Sequence, residues 1–190
     1  MLENLKKYNI ILGSGSPRRQ ELLKVLGIDF EVKVIETDES YPENLNNGEI
    51  SVFLAEKKSQ AFDIQDNTLL ITADTIVWHK NKVIGKPQND SDARHILQQL
   101  SGDVHTVISG VCLRTIARKC VFKAVSEVQF APLTDKEIDF YIENYHPLDK
   151  AGAYGIQEWI GYAGIERING SFHNIMGLPV QQLYEKLKTF

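Results

Sequence analysis

A short apolar strand that runs through a glycine–serine turn into a capped helix constrains this chain more than any other feature. Residues 8–12 read as the strand, and Gly13-Ser14-Gly15-Ser16 as the turn. Ser16 is a good helix N-cap, and Pro17 suits the first helical position. The helix is expected to reach Leu26, with Leu22, Leu23 and Leu26 on one face, and Gly27 ends it. A strand–turn–helix start of this kind belongs to a sheet with helices packed on it.

The remaining elements extend that pattern. Residues 30–35 alternate weakly and read as a strand. Residues 36–49, rich in Asp, Glu, Asn, Pro and Gly, read as a loop within the domain. A helix is expected over 51–62. A buried strand over 68–73 ends at Asp74, and 76–79 and 82–84 make a hairpin around Lys80-Asn81. A helix over 91–100 precedes two β-branched runs, 104–115 and 120–130, which read as an antiparallel pair. Thr134 and Glu137 form a capping box, so 135–144 is a helix that Pro147 stops. Residues 149–174 are Gly-rich, with short strands near Ile160 and over 165–168. A closing helix spans 179–188. The expectation is an α/β fold with a mixed β-sheet and flanking helices, in a single domain covering 1–190.

Several classes drop out. No GxGxxG follows the first strand, and no GxxxxGK[ST] or HExxH occurs. Lys plus Arg number 21 against 25 Asp plus Glu, a net charge of −4. Binders of polymeric nucleic acid usually carry a basic surplus, so a small phosphorylated ligand is the better match. The 43% apolar and 24% charged composition is that of an ordinary globular protein. No apolar run suits a signal peptide or approaches the roughly 18 residues of a membrane span, so the expected location is the cytoplasm, with no membrane partner. Cys112 and Cys120 read as buried or half-buried thiols.

Several places could carry chemistry. In the first, Ser14, Arg18 and Arg19 surround the start of the first helix, where free N–H groups and the helix dipole favour an anion. Two arginines there oppose the dipole unless an anion sits between them, and their forks match phosphate oxygens. A plain capped helix with solvated arginines is the alternative. Asp74, ending an apolar strand, is placed for a metal ligand, a general base or a turn cap. Lys58 lies on a helix, and Lys86 sits in the rigid turn Gly85-Lys86-Pro87. Both could equally be solvated surface lysines. Asp38-Glu39 could add a second metal carboxylate. Finally, residues 149–157 end in Gln157, whose amide can read a base edge or merely close a Gly-rich crossover.

Taken together, these segments resemble the Maf family of nucleoside triphosphate pyrophosphatases. The matching stretches are GSGSPRRQELL (13–23), Ala55-x-x-Lys58, ITADTIV (71–77), GKP (85–87), SGDVHTVISGV (101–111), DKAGAYGIQ (149–157) and INGSFHNIMGLP (168–179). They cover nearly the whole chain. The resemblance implies a Maf/inosine-triphosphatase-like fold, two lobes around a cleft, a divalent metal cation (Mg2+, Mn2+ or Co2+) and a homodimer. It implies hydrolysis of a nucleoside triphosphate to monophosphate and pyrophosphate. Asp74 matches the catalytic carboxylate, and Arg18, Lys58 and Lys86 the triphosphate-binding cations, with Ser14 and Arg19 in the same motif. Glu39, with Asp74, matches the metal position, and Arg18, Thr75 and Gln157 match positions tied to base choice. Thr75 with Gln157 looks like the dTTP/UTP branch, with modified pyrimidine nucleotides as further candidates. Glu158-Trp159 departs from the family pattern, where a small residue follows the glutamine. A non-catalytic nucleotide-sensing regulator of cell division is the alternative from another class, and a nucleic-acid-binding regulator a third, opposed by the net charge.

Overall fold

Ile10, Ile11 and Leu12 are all buried, which makes the first strand an interior one with partners on both sides. The computed structural model describes residues 2–190; the part of the leader reading that falls on Met1 lies outside the described residues. In chain order the elements are β1 (Asn9–Leu12), α1 (Pro17–Lys24), β2 (Glu31–Val32), α2 (Asn47–Gln60), β3 (Thr68–His79), β4 (Lys82–Ile84), α3 (Asp90–Leu100), β5 (Val104–Arg114), β6 (Lys119–Phe130), α4 (Asp135–Tyr145), α5 (Trp159–Ala163), β7 (Ile165–Asn169), α6 (Phe172–Met176) and α7 (Val180–Lys188).

Among the described residues the strands follow the order β2-β1-β3-β5-β6-β7, with β4 on β3. β1 pairs in parallel with β2 and with β3, whereas β3–β4 and β6–β7 are antiparallel. This is the expected mixed sheet with flanking helices, an α/β fold. The chain divides into two compact units. One holds the residues up to Thr75, Ser109–Ala124 and Gly177–Phe190; the other holds Ile76–Ile108 and Val125–Met176. Among the described residues no helix is long and apolar enough to cross a membrane. Cys112 and Cys120 are free thiols, buried and half-buried respectively.

In the first unit α1 starts as expected. Ser16 accepts the Arg19 N–H and Pro17 opens the helix. Regular helix ends at Lys24, short of Leu26; the chain leaves through a looser turn that Gly27 completes at φ +67°. β2 is two residues long instead of six, because only Glu31 and Val32 find register partners on β1, and Val34 and Ile35 stay exposed. α2 begins at Asn47, inside the stretch expected to be loop. Asn46 and Glu49 form a capping box that starts it early. Its backbone presses on β5 at Gly110, where a Cβ would lie 2.3 Å from the Ser51 carbonyl oxygen. Only glycine allows that approach.

β3 is one uninterrupted strand of 12 residues and does not stop at Asp74. β1 pairs with it only from Thr68 to Ile71. Beyond that point β3 continues alongside the turn that follows β1, so Asp74 lies mid-strand. Its β-propensity is poor, and the apolar strand on either side, together with the Lys58 ammonium against its carboxylate, overrides it.

In the second unit the Lys80-Asn81 hairpin turn is as expected, with φ of +46° and +63° joining β3 to β4. The core there gathers Leu97 and Leu100 of α3, Tyr141 of α4, and Phe130, Tyr154 and Ile160. The segment near Ile160 is the short helix α5, not a strand. Gly164 donates to the Ile160 carbonyl at 2.8 Å, four positions back, which is a helical hydrogen bond and not a strand pairing. β7 forms where expected, and the Gly-rich stretch also contains α6.

Candidate active site

Arg19 ties the turn after β1 to two other parts of the first unit. Its Nε donates to the Gly177 carbonyl at 2.9 Å, Nη2 to Thr75 Oγ1 at 3.1 Å, and Nη1 to Ser14 Oγ at 3.3 Å. Three of its five N–H groups are thus used within the protein. Burial pulls the Arg19 pKa down, and nearby Asp74 acts in the opposite direction. Ser109 Oγ lies 2.8 Å from Thr75 Oγ1, which makes Thr75 the centre of a small polar cluster. Arg18 is the second residue of α1 and is half-buried.

Successive side chains on a strand point to opposite faces. Thr75 meets Arg19; Asp74 turns the other way, to α2. There Lys58 Nζ lies 2.5 Å from Asp74 Oδ1 and 2.7 Å from Glu39 Oε1. The Asp74 side chain is 10% exposed and Lys58 18%, whereas Glu39 is 58% exposed. Thr72, on the same face of β3, donates to the Ala55 carbonyl at 2.7 Å and holds α2 in place. The neighbouring Lys57 pairs with Asp38 at 2.9 Å, so two consecutive lysines anchor two consecutive loop acids. Hydrogen bonds from Ser40, reinforced by Lys57, hold the Asp38 carboxyl well below its usual range.

A pocket of about 330 Å³ opens here, lined among others by Gly13, Ser14, Arg19, Glu39 and Lys58. That is the lower end of the range for small-molecule sites. Among the described residues no cluster of three or more His, Cys, Asp or Glu is set for a metal. Asp74 and Glu39 nevertheless converge on one point, now taken by the Lys58 ammonium, and hard oxygen donors of this kind suit a divalent cation.

Ser14, Arg18, Arg19, Glu39, Lys58, Asp74 and Thr75 therefore belong to the first unit. Lys86 and Gln157 belong to the second. Lys86 is exposed on a turn fixed by the buried Pro87 and by a Gly152 N–H donated to the Gly85 carbonyl at 3.0 Å. The Gln157 side-chain oxygen is enclosed and accepts no hydrogen bond among the described residues. Ser109 and the Gly177 carbonyl were not expected at the site. Ser109 lies within a β-branched run, where a lone serine is no signal, and a carbonyl carries none.

Residues 9–190 match the model of the Maf-like protein family. The chain belongs to the Maf family. A dTTP/UTP pyrophosphatase of Parabacteroides distasonis is 55% identical over the full length of both chains. One of Phocaeicola vulgatus is also 55% identical, over 99% of each. The Staphylococcus aureus Ham1 protein is similar in structure over 65% of this Maf chain and 72% of its own, with a TM-score of 0.46 at 14% identity.

Proposed function

We propose that this Maf protein hydrolyses dTTP and UTP to the monophosphate and pyrophosphate, with modified pyrimidine nucleotides as further candidates. The observation that carries the reading is the Lys58–Asp74 pair at 2.5 Å, beside the pocket that opens where β1 ends in its glycine–serine turn. Ligands of open α/β sheets favour such strand ends. Relatives 55% identical over essentially the whole chain carry the name of this activity.

In this reading Ser14, Arg18, Arg19, Lys58 and Lys86 hold the triphosphate, and the arginine forks bind its oxygens. Asp74 orients a water and takes its proton. The water oxygen forms a bond to the α-phosphorus, the bond from that phosphorus to the bridging oxygen breaks, and pyrophosphate leaves. Asp74 and Glu39 would hold the divalent cation, which when bound supplies charge neutralisation at the phosphate oxygens. Arg18, Thr75 and Gln157 set base choice. Uracil and thymine offer an N3–H donor beside the O4 acceptor, a pattern that the oxygen and NH2 of the Gln157 amide match. The same reading takes 1–190 as one functional domain of a cytoplasmic homodimer with no polymeric nucleic acid or membrane partner.

The test is product analysis by phosphorus NMR with dTTP, UTP, dCTP and 7-methyl-GTP. Monophosphate plus pyrophosphate from dTTP and UTP is expected, with loss of turnover in excess chelator. Diphosphate plus orthophosphate would overturn the reading, and tight binding without turnover would favour the nucleotide-sensing alternative.

A further inference from the structure

Tyr141 and Glu158 meet inside the second unit, 17 positions apart in the chain. The Tyr141 hydroxyl donates to Glu158 Oε2 and accepts the Gly155 N–H at 2.9 Å. The Glu158 N–H in turn donates to the Gly155 carbonyl at 3.0 Å. Lys150, itself buried, places Nζ 3.2 Å from Glu158 Oε1 and 2.7 Å from Asp149 Oδ1. The carboxyl of Glu158 fills the space beside Gly155 so fully that a Cβ there would lie 2.7 Å from Glu158 Cδ. Gly161 closes the arrangement by donating to the Glu158 carbonyl at 2.9 Å.

Both backbone polar groups of Gly155, and both of Glu158, are therefore held. Those two residues bracket Gln157. Buried ionic sets of this kind rarely stabilise a fold more than apolar side chains of the same volume would. What a carboxylate, a phenol and an ammonium supply that leucines do not is fixed direction.

Direction is what base reading by an amide needs. Uracil presents an acceptor at O4 beside a donor at N3; cytosine presents a donor at N4 beside an acceptor at N3. A glutamine amide satisfies either pattern by turning over. Preference for uracil therefore requires that Gln157 be held in one orientation.

We propose that Glu158, braced by Tyr141 and Lys150, is a positioning residue that sets Gln157 for uracil and thymine over cytosine. The proposal rests on the reading of Gln157 as the base contact. A small side chain after Gln157 could not reach Tyr141.

The experiment measures kcat/KM for UTP and CTP in the full-length protein, with Tyr141→Phe made in the wild type and in a Gln157→Ala background. Tyr141→Phe keeps the ring in the core and removes one hydroxyl. In the wild type it should lower the UTP-over-CTP ratio by about 2- to 12-fold, the worth of one hydrogen bond. In the Gln157→Ala background it should change the ratio by less than about two-fold, the limit for sites that do not couple. Glu158→Ala should behave as Tyr141→Phe does, and Glu158→Gln, which keeps an oxygen for the tyrosine, should recover most of the selectivity. If Tyr141→Phe leaves the ratio unchanged, or lowers it equally in both backgrounds, the positioning role is overturned while Gln157 keeps its own. If Gln157→Ala leaves the ratio unchanged, the base-reading assignment falls and this one with it.

Discussion

Lys58 Nζ joins two carboxylates, lying 2.5 Å from Asp74 Oδ1 on β3 and 2.7 Å from Glu39 Oε1 on the loop after β2. One ammonium thus links a buried strand acid to an exposed loop acid. The pair is brought together by α2, whose seat on β5 depends on Gly110 and whose early start depends on Asn46 and Glu49.

Replacing Lys58 by Met keeps the length of the stem and removes the charge. The two carboxylates then lose the ammonium that both contact, and on the proposed reading the triphosphate loses one of its cations. Loss of one preorganised electrostatic contact typically costs about 10²- to 10³-fold in rate. We expect kcat/KM for dTTP and UTP to fall by that order. A variant within two-fold of wild type, measured by pyrophosphate release, would remove Lys58 from the site.

Arg19→Lys is not a conservative change here. The guanidinium serves Gly177, Ser14 and Thr75 with three differently directed nitrogens, and an ammonium cannot reproduce that fork. Each net hydrogen bond contributes about 1 kcal/mol, so we expect a loss of about 1–3 kcal/mol in chemical denaturation. KM for the nucleotide should rise as well, because Thr75 loses a donor. Unchanged stability together with unchanged KM would contradict the role of this network.

His105 ties stability to pH. Its ring is buried beside Phe130 and Tyr154, with Nε2 2.7 Å from the Tyr154 hydroxyl, and burial pushes its pKa down to about 3. The unfolded chain takes up this proton near pH 6.5, so it binds more protons than the folded chain between those values. The His105 contribution is therefore complete above pH 6.5 and is lost as the pH falls towards 3. Between pH 7 and pH 5 the loss amounts to about 2 kcal/mol. Urea denaturation of wild type and His105→Gln at both pH values should show the wild type losing about 2 kcal/mol more than the variant. Equal losses would show that His105 is charged in the folded state.

The sequence made some of this legible and hid the rest for identifiable reasons. Ser16-Pro17 and Thr134 with Glu137 are local signals, and both helices start where those residues place them. Asn46 and Glu49 are an equally good signal, masked by the loop-like composition around them. Asp74 looked like a strand end because a carboxylate inside a buried strand is unfavourable without a partner, and Lys58 lies 16 positions away. Ile160 and its apolar neighbours fit strand or helix alike over so short a run. The partners of Arg19 lie on three separate segments, and one of them is a backbone carbonyl. Motif order identified Ser14, Lys58 and Asp74 as candidates; the fold brought the three segments that carry them together.

Asp74→Asn is the most direct test of the account. The substitution keeps the shape of the side chain and removes the charge that would take a proton or share a cation. Turnover of dTTP followed by phosphorus NMR, with nucleotide affinity measured by calorimetry on the same sample, separates chemistry from binding. We predict that kcat falls by about 10²- to 10⁴-fold, while affinity for the nucleotide stays within a few-fold, because the proposed reading assigns phosphate binding to cationic side chains and not to Asp74. Turnover close to that of the wild type would contradict the assignment of Asp74 and, with it, the mechanism.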